Sequence, residues 1–403
     1  MKEKTRNPNS EDSQKVLGPF LAGCVGLLGL VVAGWLGWQR ADGLEYFLHS
    51  YLVAYCYFLS ISLGALFFVA LQHATRAGWS VTVRRLAEIL AANMPVLTLL
   101  FLPILASVLL GNPKLFVWND ASAVEADPLL QHKAVYLNAE FFAARAVFYF
   151  LVWGWSARFF LLKSTEQDES ADPRLTQRME SASPAVLLLL ALTVTFAAFD
   201  WLMSLEPAWF STIFGLYYFS GAALGFTAAV ILLAMWLQRR GEIGEEITVE
   251  HYHDLGKFLL TFVIFWGYIA FSQYMLIWYA NIPEETVWYM TRQTGGWAWV
   301  SVVLLFGHLL IPFFGLIGRW AKRWKVSLGF WAAWLLVMHW IDIYWLVMPA
   351  YSPEKPPFGL IDIACTVGIG GMYLAALMWT AGQRSLVPLG DPRLKESRDF
   401  ENE

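Results

Sequence analysis

Long apolar runs and short polar connections alternate along this chain. A helix needs about 20 residues, at 1.5 Å rise each, to cross roughly 30 Å of hydrocarbon. Ten apolar runs meet this length, at about 16–38, 45–71, 87–110, 136–162, 184–204, 208–237, 255–280, 296–319, 326–349 and 358–381. The pattern predicts an all-α integral membrane protein with about ten transmembrane helices, which we number span 1 to span 10.

The connections between these runs are short, so we expect residues 1–403 to form a single polytopic membrane domain. Residues 1–15 are polar and predict an N-terminal tail, whereas the charged segment 382–403 predicts a C-terminal tail that is disordered or lies on the surface. Three prolines, Pro95, Pro103 and Pro312, fall inside spans. Membrane helices tolerate proline, so we expect the helices to continue through them.

The distribution of positive charge predicts the orientation. Of the 28 Lys and Arg residues, only five lie in the connections that follow odd-numbered spans: Arg40, Lys114, Lys133, Arg292 and Lys355. Three more lie within spans, namely Arg145, Arg158 and Lys257, and the other 20 lie in the two termini and in the alternate connections. Because cytoplasmic connections carry the excess of Lys and Arg, both termini are predicted to be cytoplasmic.

Composition narrows the functional classes. The chain is 58% hydrophobic and 15% charged, which is too apolar for a soluble domain. Its formal charge of −4 argues against nucleic acid as a partner and leaves membrane lipid as the expected surrounding. Cys24, Cys56 and Cys365 are isolated in apolar runs. We therefore expect no bound metal, iron–sulfur cluster or other redox cofactor on this chain itself.

A weak internal repeat relates spans that are four apart. Tyr57-Phe58 and Leu63-Gly64 in span 2 recur in span 6 as Tyr218-Phe219 and Leu224-Gly225, both at an offset of 161. In spans 5 and 9 an aspartate precedes a proline by seven residues, as Asp200 with Pro207 and Asp342 with Pro349. The repeat predicts two tandem four-helix bundles, spans 2–5 and 6–9, with one flanking helix at each end.

Ionisable residues inside the spans are candidates for function, because a charge in hydrocarbon costs at least about 2.5–3.5 kcal/mol. The candidates for a proton relay are Glu140, Arg145, Asp200, His308, His339, Asp342 and Asp362. Tyr149, Tyr268, Ser272, Gln273 and Tyr344 are possible neighbours. The same residues would also suit a purely structural network of ion pairs.

Spacing adds detail to five of these positions. His339 and Asp342 are three residues apart and are expected to share a helix face. Arg145 is only partly aligned with Glu140, so we expect it to pair with a carboxylate on another helix. His308 and His339 are predicted at similar depth, which permits a haem, but two hydrogen-bonded core histidines are the preferred interpretation.

Polar residues near the cytoplasmic ends of the spans are expected to be solvated and to have no functional role. Glu88, Arg158, Asp254 and Lys257 are expected to extend toward water. His251 and His253 are expected in a solvated acidic loop, with no role in metal binding.

Three segments resemble the NrfD/polysulfide-reductase family of membrane subunits, and within it most closely the F subunit of bacterial alternative complex III. They are residues 49–68, Arg84-Arg85 followed by Asn93-Met94-Pro95, and Asp200-Trp201 followed by Ser204-Leu205-Glu206-Pro207-Ala208-Trp209. Ten spans with a duplicated four-helix bundle also match that family's plan, so the resemblance covers nearly the whole chain.

The resemblance implies a subunit of a quinol:cytochrome c or quinol:acceptor oxidoreductase in the bacterial cytoplasmic membrane. Iron–sulfur and multihaem cytochrome c subunits would carry the redox centres, and a paralogous NrfD-like subunit would be a further partner. This chain would supply a scaffold, a candidate proton path and a candidate site for quinol or menaquinol, for which the resemblance suggests His49, Glu140, Arg145 and Asp200. A secondary transporter and a structural anchor without chemistry are the alternatives.

Overall fold

The computed structural model of the chain describes residues 8–402, with side chains from residue 17 onward. Within this part, ten helices are long and apolar enough to cross a membrane, and no strand is present. The predicted all-α multi-span membrane fold is confirmed. Residues 1–7 of the predicted N-terminal tail lie outside the described residues, and residues 8–15 are helical and continue span 1.

The helices of the ten spans are Pro8–Trp38, Glu45–Ala74, Val81–Leu109, Ala139–Ser170, Pro173–Trp201, Phe214–Arg240, Val249–Ala280, Trp297–Ile317, Lys325–Tyr351 and Leu360–Gly382. Shorter helices in the connections and the C-terminal segment are Val117–Asn119, Ala121–Ala126, Pro128–Lys133, Met203–Leu205, Pro283–Gln293, Arg319–Arg323 and Leu394–Arg398.

Spans 4 and 5 extend well beyond their predicted apolar runs. The predicted connection 163–183 is almost entirely helical, and only a tight turn at Ala171 and Asp172 separates the two helices. Ala171 closes span 4 in the left-handed conformation, and the Asp172 side chain caps the backbone N–H of Arg174. Hydropathy detects only the part of a helix that crosses the hydrocarbon. These two helices continue beyond that part with polar residues that water can solvate.

Two spans are not continuous α-helices, which corrects the expectation at the prolines. Span 3 consists of Val81–Ala91, Met94–Leu100 and Leu102–Leu109. Its second and third segments each carry a proline, Pro95 or Pro103, as their second residue, where the missing backbone N–H needs no partner within the helix. In span 8, Leu304–Leu310 is a π-helical segment that ends two residues before Pro312.

The two predicted bundles share one core. Spans 2 and 6 are the most buried, and they pack against each other at the centre of the molecule. Span 2 contacts spans 3, 5 and 9, and span 6 correspondingly contacts spans 7, 9 and 5. Spans 5 and 9 therefore each touch both central helices.

The flanking spans 1 and 10 pack on each other through glycines. A Cβ atom on Gly26 would lie 2.5 Å from the backbone nitrogen of Met372, and one on Gly371 would lie 2.6 Å from Cα of Gly26. The helices approach this closely only because both positions lack a side chain. Span 10 also contacts span 2, which attaches the flanking pair to the core.

The molecule has two distinct ends. We call the end formed by residues 39–44, 110–138, 202–213, 281–296 and 352–359 the loop end, and the other, which holds residues 383–402, the tail end. The C-terminal segment packs against the helices there. Ser397 accepts a hydrogen bond from the backbone of Thr82, and Lys257 donates to Asn402. The segment thus lies on the surface of the bundle, the ordered alternative of the two that the sequence left open.

The predicted orientation is tested by reporter fusions after Arg240, at the tail end, and after Met290, at the loop end. We expect a cytoplasmic signal after Arg240 and an external signal after Met290, because the basic connections are retained in the cytoplasm. An alkaline-phosphatase and a fluorescent-protein reporter at each site make the measurement reciprocal. Signals from the same compartment at both sites would contradict the topology.

Candidate functional site

The first of the two repeated acids, Asp200, is held in a fixed ion pair. It lies at the end of span 5 and is fully buried. Arg145 of span 4 donates to both carboxylate oxygens, from Nε over 2.8 Å and from Nη2 over 2.9 Å, and the Tyr149 hydroxyl donates over 2.7 Å. The expectation that Arg145 pairs with a carboxylate on another helix is confirmed. A two-point pair of this kind fixes both partners in place.

The remaining surroundings of Arg145 also favour its charge. Its Nη1 donates to the backbone oxygen of Tyr136 over 2.9 Å. The guanidinium lies over the rings of Tyr136 and Phe141, 3.9 and 4.3 Å from their centroids. Buried charges persist where they are paired and hydrogen-bonded, and Asp200 and Arg145 meet this condition.

A cleft of about 210 Å³ lies beside this pair at the loop end. Two of its lining residues contact the pair directly: Tyr136 accepts from Arg145, and the Ser204 hydroxyl donates to the backbone oxygen of Asp200. Phe196, Phe199 and Trp209 make the wall mainly aromatic and apolar. Mainly apolar walls with a few polar groups are typical of small-molecule sites.

The second repeated acid, Asp342, has different partners. It lies in span 9 and is buried. The Tyr217 hydroxyl donates to Oδ1, and the Trp266 indole donates to Oδ2 over 3.1 Å. Among the described residues no Lys, Arg or His side chain forms an ion pair with Asp342. Neutral donors offset only part of the cost of burying a carboxylate charge, and Asp342 lacks the counter-ion that Asp200 has.

His339 lies one helical turn before Asp342 and shares its face, as the spacing predicted. A Cβ atom on Gly221 would lie 3.1 Å from Nδ1 of His339 and 3.7 Å from Oδ2 of Asp342, so both side chains border the same glycine of span 6. Nε2 of His339 bonds the Ser60 hydroxyl over 2.8 Å. Its Nδ1 has no hydrogen-bond partner among the described residues. The site therefore links the two bundles through span 2.

His308 is fully buried in the π-helical segment of span 8. Its ring centroid is 4.0 Å from that of Trp266, the indole that donates to Asp342. Neither ring nitrogen of His308 has a hydrogen-bond partner within the described part of the chain. The interpretation as two hydrogen-bonded core histidines is therefore wrong for His308. π-Helical segments of this kind are frequent at functional sites.

Two glycines of span 6 leave room for the His339 ring to pack against that helix. A Cβ atom on Gly225 would lie 2.8 Å from Cδ2 of His339, and one on Gly221 would lie 2.9 Å from its Cε1. At the repeat offset of 161, Gly221 corresponds to Ser60, the residue that bonds His339. The two halves of the repeat therefore differ at this position. Gly221 of span 6 leaves room for the His339 ring, and Ser60 of span 2 bonds that ring.

The other predicted residues lie apart from these two acids. Asp362 is buried in span 10, where it accepts hydrogen bonds from Tyr46, from Ser50 over 2.7 Å and from the backbone of Gly359 over 2.8 Å. His49 is buried nearby on span 2, and its Nδ1 bonds the backbone oxygen of Glu45 over 2.9 Å.

Glu140 is exposed in the first turn of span 4 and has no ion pair among the described residues. Of the four residues suggested for quinol, the structure joins only Arg145 and Asp200. Of the possible neighbours of the acids, only Tyr149 contacts one of them, and Tyr268 is exposed.

Sequence reasoning missed Tyr217 and Trp266, the two donors to Asp342. Tyr217 directly precedes the repeated Tyr218-Phe219 pair, but its equivalent at the repeat offset is Cys56, so the repeat gave no signal there. Trp266 is one of 21 tryptophans and stands out only through its contacts.

Glu206, in the segment that carried the resemblance, connects the bundles at the loop end. It accepts from Nη2 of Arg292 over 2.8 Å. Arg292 is fully buried and also donates to the backbone oxygens of Trp288, Trp345 and Leu346. The pair joins the connection after span 5 to the end of span 9, so it holds the loop ends of the two acid-bearing helices together.

A second ionic cluster lies at the tail end, where the sequence predicted only groups extending to water. Glu88 is buried, with Oε2 3.0 Å from Nε of Arg85 and Oε1 3.7 Å from Nε of Arg84. Arg85 also pairs with Asp168 of span 4 over 2.8 Å, and Arg84 pairs with Asp391 of the C-terminal segment. The expectation for Glu88 is therefore wrong.

The expectation of a solvated acidic loop around His251 and His253 is also wrong. Span 7 begins at Val249, so His251 is in its first turn and His253 in its second, and both are buried. His251 bonds Thr248 through Nδ1 and Ser397 through Nε2. Lys257 does reach toward the surface, where it pairs with Asp254 over 2.6 Å.

Comparison of the sequence with known proteins adds no relative: no family model matches the chain, and no curated protein matches it.

Proposed function

We propose that this chain is a membrane subunit of a quinol:cytochrome c or quinol:acceptor oxidoreductase complex in the bacterial cytoplasmic membrane, similar to the F subunit of alternative complex III. It would hold no redox centre of its own. Its partners would be iron–sulfur and multihaem cytochrome c subunits and a paralogous NrfD-like subunit. Its contributions would be a scaffold, a proton path and a site for quinol or menaquinol.

The observation that carries this proposal is the contrast between the two repeated acids. Asp200 is paired with Arg145, whereas Asp342 has only neutral donors, lies beside His339, and shares Trp266 with the buried His308. Retaining such groups within a membrane helix is costly, which argues for a use in proton transfer. In this proposal Asp342 and His339 exchange protons, His308 extends the path, and Asp200 stays paired with Arg145.

The cleft beside Asp200 is the part of the structure best suited to a quinol head group. Its walls are mainly apolar, and Lys133, Tyr136 and Ser204 supply polar atoms. Tyr136 and Ser204 connect the cleft to the Asp200–Arg145 pair. The resemblance places the iron–sulfur partner on this side. A quinol oxidised here would release its protons next to a fixed ion pair, whereas proton movement through the membrane would use the second bundle.

The two alternatives explain fewer of these features. A secondary transporter needs helices unwound near the middle of the membrane. The glycines that could permit unwinding, Gly221, Gly225, Gly368, Gly370 and Gly371, lie in spans 6 and 10, which are uninterrupted helices, and Gly225 and Gly371 are positions of close packing. A structural anchor would have no use for a buried acid and a buried histidine without compensating partners.

The proposal is tested by mild-detergent purification of the tagged protein from its native membrane, followed by identification and metal analysis of what accompanies it. We expect covalently bound haem, iron–sulfur clusters and a second ten-span protein in stoichiometric amounts, together with quinol-dependent reduction of an acceptor. The separated chain should show no haem band in a reduced-minus-oxidised spectrum. A homogeneous preparation that contains this chain alone would overturn the proposal.

A further inference from the structure

A large cleft opens at the tail end between spans 1, 3, 6 and 10, far from both repeated acids. Its volume is about 510 Å³, within the range of small-molecule sites. The inner wall is apolar and includes Leu86, Leu233 and Leu377, one from each of three spans. Two arginines and one glutamate line its mouth: Arg240, the last residue of the span 6 helix, Glu242, and Arg384, which follows the end of the span 10 helix. The cleft is therefore apolar within the membrane and basic at its surface.

The positive charge at this mouth is incompletely balanced. Arg240 pairs with Glu242 over 2.7 Å, and both side chains are exposed. Arg384 pairs with no carboxylate among the described side chains; its Nη1 donates to the backbone oxygen of Thr380 over 3.2 Å. Burial lowers the pKa of the Arg384 guanidinium, and the nearby charges of Arg85 and Arg158 lower it further. An anion at the mouth would relieve this repulsion.

We infer that this cleft binds one anionic phospholipid, with the phosphate at Arg384 and Arg240 and an acyl chain along the leucine wall. Guanidinium groups bind phosphate through paired hydrogen bonds, which accounts for arginines at the mouth. A free phosphate would use the arginines but leave the apolar wall unfilled, so the two parts together fit a lipid. The basic connections predict that this end is cytoplasmic, and anionic lipids of that leaflet bind basic pockets between membrane helices.

This inference is independent of the proposed role in quinol oxidation. It is tested on the intact purified protein, or on its complex, by native mass spectrometry with added phosphatidylglycerol, phosphatidylcholine or inorganic phosphate. We expect one phosphatidylglycerol to be retained in preference to phosphatidylcholine. Arg384→Gln should weaken its retention about tenfold, and Arg384→Lys should weaken it less, because lysine keeps the charge.

Two further variants separate the sources of the signal. Ala381→Phe narrows the apolar wall without changing charge, and we expect it to weaken phosphatidylglycerol as well. Arg174→Gln removes an exposed charge at the same end but outside the cleft, and it should leave retention unchanged. Equal retention of both lipids, or equal loss in Arg174→Gln and Arg384→Gln, would overturn the inference. Displacement by inorganic phosphate with no effect of Ala381→Phe would also overturn it, since the site would then take a free anion.

Discussion

Asp342→Asn is expected to lower quinol-driven proton release about a hundredfold or more while the complex still assembles. The expected size reflects what removal of a positioned acid–base group costs in general. Asparagine keeps the volume of aspartate but cannot titrate near neutral pH. It can also keep both hydrogen bonds, with its oxygen accepting from Trp266 and its amide donating to the Tyr217 hydroxyl, since a phenol can accept as well as donate.

The matched variant Asp200→Asn should behave in the opposite way. Arg145 uses both carboxylate oxygens of Asp200, and an amide offers only one acceptor and no charge. The variant leaves a buried guanidinium without its counter-ion, at a cost of about 3–5 kcal/mol. We therefore expect a lower yield of assembled complex, and a specific activity per assembled complex that is reduced less than in Asp342→Asn.

Assembly and proton release are to be measured on the same preparations, in vesicles loaded with a pH-sensitive dye. The double variant Asp200→Asn with Arg145→Gln removes both charges and should recover part of the assembly lost in Asp200→Asn. If Asp342→Asn assembles normally and releases protons at the wild-type rate, Asp342 is a packing residue and the proton path lies elsewhere. If Asp200→Asn assembles normally, the buried Arg145 does not need Asp200 as its counter-ion, and this prediction is wrong.

The second large effect is expected from Arg85→Met at the tail end. Arg85 is completely buried, pairs with Glu88 on its own helix, and joins span 3 to Asp168 of span 4 and to the backbone of Ser385. Methionine fills much of its volume but leaves the Glu88 carboxylate without its nearest cation. We expect a loss of about 3–5 kcal/mol in stability and a clear fall in the thermal unfolding midpoint.

The control for Arg85→Met is Arg178→Met, which removes an exposed arginine at the same end. Arg178 has no ion pair among the described residues, so its loss should change stability by less than about 0.5 kcal/mol. The unfolding midpoint of each variant is measured in the same detergent and lipid mixture. Equal midpoints for the two variants would show that the buried cluster contributes nothing beyond its hydrophobic volume.

The fold was largely predictable, because each membrane span leaves its own local signal. Ten apolar runs gave ten spans, and the offset of 161 correctly related span 2 to span 6. The errors are local as well. The helical hairpin around Ala171 extends past the apolar run, where hydropathy carries no information, and span 3 breaks before Pro95 and Pro103.

The functional residues were predictable only in part. Helical spacing alone placed His339 and Asp342 on one face, and a search for buried charge found Asp200 and Arg145. Glu140 was included as an ionisable residue inside a predicted span, but the structure places it in the first turn of span 4 with its side chain exposed. Glu88 was placed near water because it lies close to a helix end, yet Arg84 and Arg85 enclose it.

Sequence by itself determined the number of membrane spans, their order, the expected orientation and the set of ionisable groups within them. These features follow from apolar length, helical period and charge bias, which are properties of neighbouring residues. Only the tertiary structure decided which acid is neutralised. Asp200 meets an arginine 55 positions earlier in the chain, whereas Asp342 meets a tyrosine 125 positions earlier and the indole of Trp266. Such partners are set by how distant helices pack, and the energy of a buried charge depends on those partners more than on its own helix.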